Sequence, residues 1–150
     1  MPRALADLVT EQLDTLVAAV ARDQAADPAR AGLLVALSGG PDSVALLDVA
    51  ATWAAAAGRP LVAAHYNHRL RGEAGDRDEV FCQRLCERLA VPLVRGGGDP
   101  RGVARQRGRG LEEAARHLRL SFLEVVRGEH DLAAIALGHH RDDQVETVLM

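Results

Sequence analysis

Residues 33–43 read Leu33-Leu-Val-Ala-Leu-Ser-Gly-Gly-Pro-Asp-Ser43, an apolar run that breaks into two glycines, a proline and an acid. The run predicts a short buried strand over Leu33–Leu37. Gly39 and Gly40 can take positive φ and let the backbone come close to an anion. Pro41 suits a first helical position, where a missing N–H costs nothing. A helix starting there aims its free amides and the positive end of its dipole at the end of the strand, an arrangement that holds phosphate. Ser38 and Ser43 bring hydroxyl groups to the same turn. No Gly-Lys-Ser/Thr follows, and the glycines lack the G-x-G-x-x-G spacing, so this is neither a Walker loop nor a dinucleotide fingerprint.

Outward from this turn, short apolar runs alternate with amphipathic stretches, the pattern of an α/β chain with a parallel sheet. Helices are predicted over Arg3–Ala21, Ser43–Ala57, Glu73–Ala90 and Glu112–Arg127, with strands at Leu61–His65, near Pro92–Val94 and at Leu132–Leu137. The stretch Gly96–Arg109, rich in Gly and Arg, reads as a loop that orders on binding. From Asp142 a further helix is predicted, and Val145, Val148 and Leu149 keep its period to Met150 without a stop signal. The chain is therefore expected to be a piece of a longer protein. The expected fold class is α/β, a Rossmann-like, doubly wound parallel sheet. Residues 1–31 are expected to form an N-terminal helix and linker, and 32–150 the nucleotide-binding catalytic domain.

The formal net charge of −3 excludes a uniformly basic nucleic-acid binder. It leaves room for a local basic face, because all 18 basic residues are Arg and several cluster between Arg101 and Arg109. No apolar run approaches the roughly 18–20 residues that span a bilayer. The first twenty residues carry Asp7, Glu11 and Asp14 and lack a signal-peptide core, so no membrane role and a cytoplasmic location are expected. Cys82 and Cys86 are spaced for one helix face rather than for zinc or redox chemistry, which predicts buried thiols.

Ser38-Gly-Gly-Pro-Asp-Ser43 resembles the SGGxDS signature of the PP-loop ATP pyrophosphatases, which cleave ATP between its α- and β-phosphates. Three further segments are similar to those of the tRNA(Ile)-lysidine synthetases within that superfamily. They are Ala64-His-Tyr-Asn-His-Arg-Leu-Arg-Gly72, Gly110-Leu-Glu-Glu-Ala-Ala-Arg-His-Leu-Arg119 and Leu137-Gly-His-His-Arg-Asp-Asp-Gln-Val-Glu-Thr147. The resemblance covers most of Gly32–Met150. It implies a ligase that forms a carbon–nitrogen bond in two steps. ATP adenylates the wobble cytidine of an isoleucine tRNA with a CAU anticodon, releasing pyrophosphate; free lysine then displaces AMP to give lysidine.

What the resemblance implies for single residues follows its motifs. Ser38, Gly39, Gly40, Pro41, Asp42 and Ser43 would cradle the ATP phosphates. Asp42 either only stabilises the helix N-terminus or also holds Mg²⁺ against the pyrophosphate. His65 and Asn67 end one strand and His139 and His140 another, at the sheet edge where ligands bind. His65 and Asn67 are expected to bind nucleotide, and His139 is expected to donate to the α-phosphate in the transition state. Asp143 would orient that histidine, bind Mg²⁺ or accept the lysine ammonium, and Asp142 has a first-turn dipole partner as its other reading. Arg116 is the expected cationic clamp on the α-phosphate or a tRNA phosphate. His65 and His68 have surface or loop histidines as their other reading, while Arg69, Arg71, Arg101, Arg105, Arg107 and Arg109 are read either as solvated residues or as tRNA contacts.

Three rival readings differ in class. A tRNA cytidine thiolase shares the Gly-His-His-Arg-Asp-Asp run but needs a C-x-x-C pair, which Cys82 and Cys86 do not form. A metal hydrolase using His139, His140 and Asp143 leaves Ser38–Ser43 unexplained. A fragment that binds ATP without turnover is the third.

Overall fold

The computed structural model describes residues 3–24, 27, 30–69, 72–108, 110–138 and 146–148. Five helices and five strands are arranged as α1 (Arg3–Asp23), β1 (Leu33–Ala36), α2 (Pro41–Ala57), β2 (Leu61–Asn67), α3 (Glu73–Leu89), β3 (Leu93–Gly97), α4 (Pro100–Arg107), α5 (Leu111–Glu129), β4 (Ala134–Leu137) and β5 (Glu146–Val148). The sheet order is β3-β2-β1-β4-β5. The first four strands in that order are parallel, with Leu33 beside Leu61 on one side and Ala134 on the other. This is the doubly wound α/β fold that the alternating pattern predicts. Strand order reverses between β1 and β4, so the chain's crossovers place helices on both faces.

Each face has its own aliphatic core. Leu33, Val35 and Leu37 point toward α1, α2 and α3, where they meet Val17, Leu47, Trp53 and Leu85. Leu34, Ile135 and Leu137 pack on the other face against Leu123 and Val126 of α5. Leu13, Val17, Val20 and Ala21 of α1 belong to the first cluster. The Trp53 indole donates to Asp14 Oδ1 at 2.7 Å, and the Arg59 guanidinium lies 5.5 Å above the Trp53 ring. These contacts fasten α1 to α2. No described helix is long and apolar enough to cross a membrane.

Two segments depart from expectation. Residues 96–109 are not a loop: β3 runs on to Gly97 and α4 follows. The start and stop signals lay inside a composition dominated by Gly and Arg. Asp99 caps α4 by accepting from the Arg101 amide at 2.9 Å, Pro100 takes the first turn, and Gly108 closes it at φ +61°. The second correction is at the C-terminal end. Glu146–Val148 forms an antiparallel edge strand, Leu137 beside Glu146 and Ile135 beside Val148, where a helix was predicted. Its physical reason is that β4 would otherwise leave its backbone amides and carbonyls unpaired, and the β-branched Thr147 and Val148 suit a strand.

Candidate active site

The turn after β1 is built from its own hydroxyls. Leu37 still pairs with β2, its amide donating to the Ala64 carbonyl at 2.8 Å, and then the chain leaves the sheet. The buried Ser43 hydroxyl donates to the Gly40 carbonyl at 3.0 Å and accepts from the Ser38 amide at 3.2 Å. Ser43 has spent its one proton, so Ser38 must be the donor in the 3.0 Å pair between the two hydroxyls. Ser38 Oγ in turn accepts from the Gly40 amide at 3.2 Å. Both hydroxyl protons are thus committed within the loop. Gly40 is the N-cap of α2 and no side chain caps the helix, so the first-turn amides beyond Pro41 are its open donors.

Two glycines fix the loop's position. Gly39 has φ +95°, a conformation that L side chains rarely adopt. A Cβ on Gly138, just past β4, would lie 3.2 Å from the backbone of Asp42 and Ser43. The end of β4 therefore presses directly on the start of α2, at the point where strand order reverses. Asp42 is exposed on that first turn, and Ser38 is exposed at the loop entrance.

Beside the loop, a crevice of about 270 Å³ opens over the carboxyl ends of β1, β2 and β4. Ser38, His65, Asp78, Arg119 and Gly138 are among its lining residues. Its α3 wall carries Asp78, whose Cβ lies 3.7 Å from the position of a Cβ on Gly39. Beneath it, Cys82 and Cys86 are buried free thiols, as their spacing predicts. Burial pushes Cys82 up to about 12, helped by Cys86 and the Asp78 and Glu79 carboxylates, and burial pushes Cys86 up to about 11. Neither is a thiolate at neutral pH.

The opposite wall carries one guanidinium and one imidazole, both with an unsatisfied nitrogen among the described residues. His68 Nδ1 and Arg119 Nε are both buried without a hydrogen-bond partner among the described residues. Burial lowers the His68 pKa, and the charges of Arg119 and His65 lower it further. Burial likewise lowers Arg119, with Arg116 adding repulsion. Tyr66 packs edge-on to His68 at 4.8 Å and against Phe122 at 5.3 Å, and burial raises its phenol pKa. Buried donors with no acceptor are costly unless a ligand supplies one.

Of the predicted loop residues Ser38 lines the crevice together with His65, while Gly39–Ser43 stand beside it without lining it. Asn67 also lines it, but its carboxamide staples the chain: Oδ1 accepts from the Arg69 amide at 2.8 Å and Nδ2 donates to Asp76 at 3.2 Å. Arg116 is exposed on α5 and does not line the crevice, whereas Arg119 does. His139 and Asp143, with His140, Asp142, Arg71 and Arg109, lie outside the described residues. Sequence reasoning missed Arg119, Asp78 and Gly138. Only Arg119 carried a signal, being four residues before Leu123 and seven before Val126, both buried on the face that α5 turns to the sheet. Among the described residues there is no cluster of three or more side chains able to hold a metal ion.

A family model for the PP-loop domain matches residues 9–150. The chain is 47% identical over 118 residues to a tRNA(Ile)-lysidine synthase of Parabacteroides distasonis, covering 79% of this chain and 26% of that protein. It is 41% identical over 118 residues to the tRNA(Ile)-lysidine synthase of Geobacter sulfurreducens, covering 79% and 25%. A third relative of that name, from Bacillus cereus, is 41% identical over 121 residues, covering 81% and 25%. The chain spans about a quarter of the length of these relatives.

Proposed function

The chain belongs to the PP-loop family of ATP-binding domains, and on that premise we propose that it is the nucleotide-activating core of a tRNA(Ile)-lysidine synthetase. One observation carries the nucleotide half of this reading. A self-stapled glycine turn puts an uncapped helix N-terminus beside a crevice at the sheet's switch point. The tRNA half is supported by the relatives' names.

In this reading the pyrophosphate end of ATP lies on the α2 amides and the α-phosphate faces the crevice. The cytosine 2-oxygen of the wobble base attacks the α-phosphorus, and the bond to the β-phosphate oxygen breaks. The ε-amine of lysine then attacks cytosine C2, AMP leaves with the former 2-oxygen, and the amine gives up its protons. Arg119, rather than the exposed Arg116, supplies the charge that meets the α-phosphate. His139 and Asp143 keep the roles the motif implies, donation to the phosphate and orientation of that donor or of the amine.

Mg²⁺ fits Asp42. That carboxylate is exposed on the first turn of α2, and Mg²⁺ needs only one or two protein carboxylates when phosphate oxygens and water complete its shell. Its chemistry there is to neutralise the departing pyrophosphate. Residues 32–150 would then be the catalytic unit, with 1–31 bracing it.

The test is incubation with ATP, Mg²⁺, labelled lysine and an isoleucine tRNA transcript with a CAU anticodon. Label in the RNA supports the reading. ATP binding without ATP–pyrophosphate exchange in the presence of that tRNA overturns turnover by this chain. It would leave the second reading, a nucleotide-binding piece, which the one-quarter coverage of the relatives favours.

A further inference from the structure

At the last residue before the phosphate loop, the ladder between β1 and β2 stops. The paired residues end at Ala36 beside Ala64. Leu37 keeps one backbone bond, its amide donating to the Ala64 carbonyl. The Leu37 carbonyl is met by a side chain: His65 Nδ1 lies 2.7 Å from Leu37 O, and both residues are buried. The Cys82 thiol closes the same pocket, 3.6 Å from His65 Nδ1 and 3.9 Å from Leu37 O. It also lies 3.6 Å from the position of a Cβ on Gly39.

The chemistry of this cluster fixes the protons. A carbonyl only accepts, so at 2.7 Å the imidazole must carry its proton on Nδ1. The Leu37 carbonyl and the Ser38 amide belong to one planar peptide, so holding the first sets the second. The Ser38 amide is the group that donates to Ser43 Oγ, the hub of the loop. The imidazole thus replaces the missing strand partner and locks the peptide plane from which the turn departs. Without it, a buried carbonyl would keep only the distant Cys82 thiol as a donor where β1 leaves the sheet, and the plane would be free to rotate.

We propose that His65 is a positioning residue, its Nδ1–H holding the Leu37–Ser38 peptide in the orientation that the phosphate loop requires, rather than a group spent on contacting nucleotide. This rests on the ATP-binding reading for its functional consequence, though not for its geometry. Asn and Gln separate the two ring nitrogens, because an Asn amide nitrogen stands near the place of Nδ1 and a Gln nitrogen near that of Nε2.

Imidazole nitrogen NMR of the full chain without ligand is expected to show a proton on His65 Nδ1, with the Ser38 amide protected from exchange. His65→Asn is expected to keep that protection and to hold the ATP dissociation constant within about threefold. His65→Gln and His65→Ala should each lose the protection and weaken ATP by about tenfold to a hundredfold, the range set by an unsatisfied buried carbonyl. Circular dichroism and melting establish that each variant is folded. An Nε2-protonated ring, or a folded His65→Asn as defective as His65→Gln, overturns the proposal. If the unaltered chain binds no ATP, the nucleotide reading fails by itself, while the tautomer and the Ser38 exchange still decide whether His65 holds the peptide.

Discussion

The two walls of the crevice solve opposite problems. The phosphate turn satisfies itself: Ser38, Gly40 and Ser43 exchange every hydroxyl proton within six residues of chain. The wall across from it, formed by the end of β2 and by α5, does the reverse. His68 and Arg119 come together from distant parts of the sequence and bury polar atoms with no partner among the described residues. A turn that is finished before ligand arrives is preorganised and loses little entropy on binding. A wall that sets a half-buried guanidinium beside an imidazole, polar atoms of both lacking partners among the described residues, resists protonation of that ring, a resistance that an anion relieves. One side therefore contributes shape and the other contributes charge.

The largest expected effect breaks the shape side. Gly39→Ala meets nothing closer than 3.6 Å, so there is room for the methyl group. The cost comes from φ +95°, which a Cβ strains by about 1–3 kcal/mol. The turn should relax to negative φ and redirect the loop, abolishing ATP binding in a calorimetric titration while the melting temperature falls by only a few degrees. A variant that binds ATP normally would show that the turn's conformation is dispensable. Ser43→Ala comes next. It removes the hub hydroxyl, leaving the Ser38 amide without its acceptor and the Gly40 carbonyl with the Val44 amide alone, a loss of about 1–3 kcal/mol of stability. Denaturant unfolding checks it. ATP should also bind more weakly, because the loop becomes mobile.

The charge side is tested by the contrast between Arg119→Met and Arg116→Met. Methionine keeps the length and apolar stem of Arg119 and removes a buried, repelled charge. In the absence of ligand, Arg119→Met should be as stable as the parent chain or more so. Its ATP–pyrophosphate exchange should fall by about a hundredfold, the scale of a lost transition-state charge contact. Arg116 is exposed, so Arg116→Met should cost stability nothing measurable and exchange far less. Equal losses in the two variants would erase the distinction between the walls.

This contrast also explains what was legible in the sequence. The turn was readable because everything that shapes it lies between Leu33 and Ser43. The helix α5 was readable as well, but not its rotation against the sheet, which leaves Arg116 exposed and turns Arg119 of the same motif to the crevice. His65 and Asn67 were placed correctly at the edge of the sheet. Their partners Leu37 and Asp76 lie 28 and 9 residues away, and no local pattern announces that their side chains are engaged. The helix α4 was missed for the converse reason, since its cap at Asp99 and stop at Gly108 were plain signals inside an unusual composition.

The smallest expected effect concerns His68, and it sharpens the comparison because it needs no nucleotide turnover. Burial lowers its pKa below the ordinary 6.5, and the Arg119 and His65 charges add to that. A histidine whose folded pKa is depressed binds its proton more readily unfolded, so stability must rise with pH across the interval between the two values. Its contribution is complete above about 6.5, the ordinary unfolded value, and is lost as pH falls through the lower folded one. Because the ring is only half-buried, the melting temperature should drop slightly on acidification below pH 6.5. His68→Gln, neutral at every pH, should flatten that slope. An anion seated between His68 and Arg119 should flatten it too, by cancelling the repulsion and favouring the charged ring. Melting curves from pH 5 to 7.5, with and without ATP, distinguish the cases. A slope that His68→Gln leaves untouched would mean that the histidine is solvated and that this wall stores no repulsion at all.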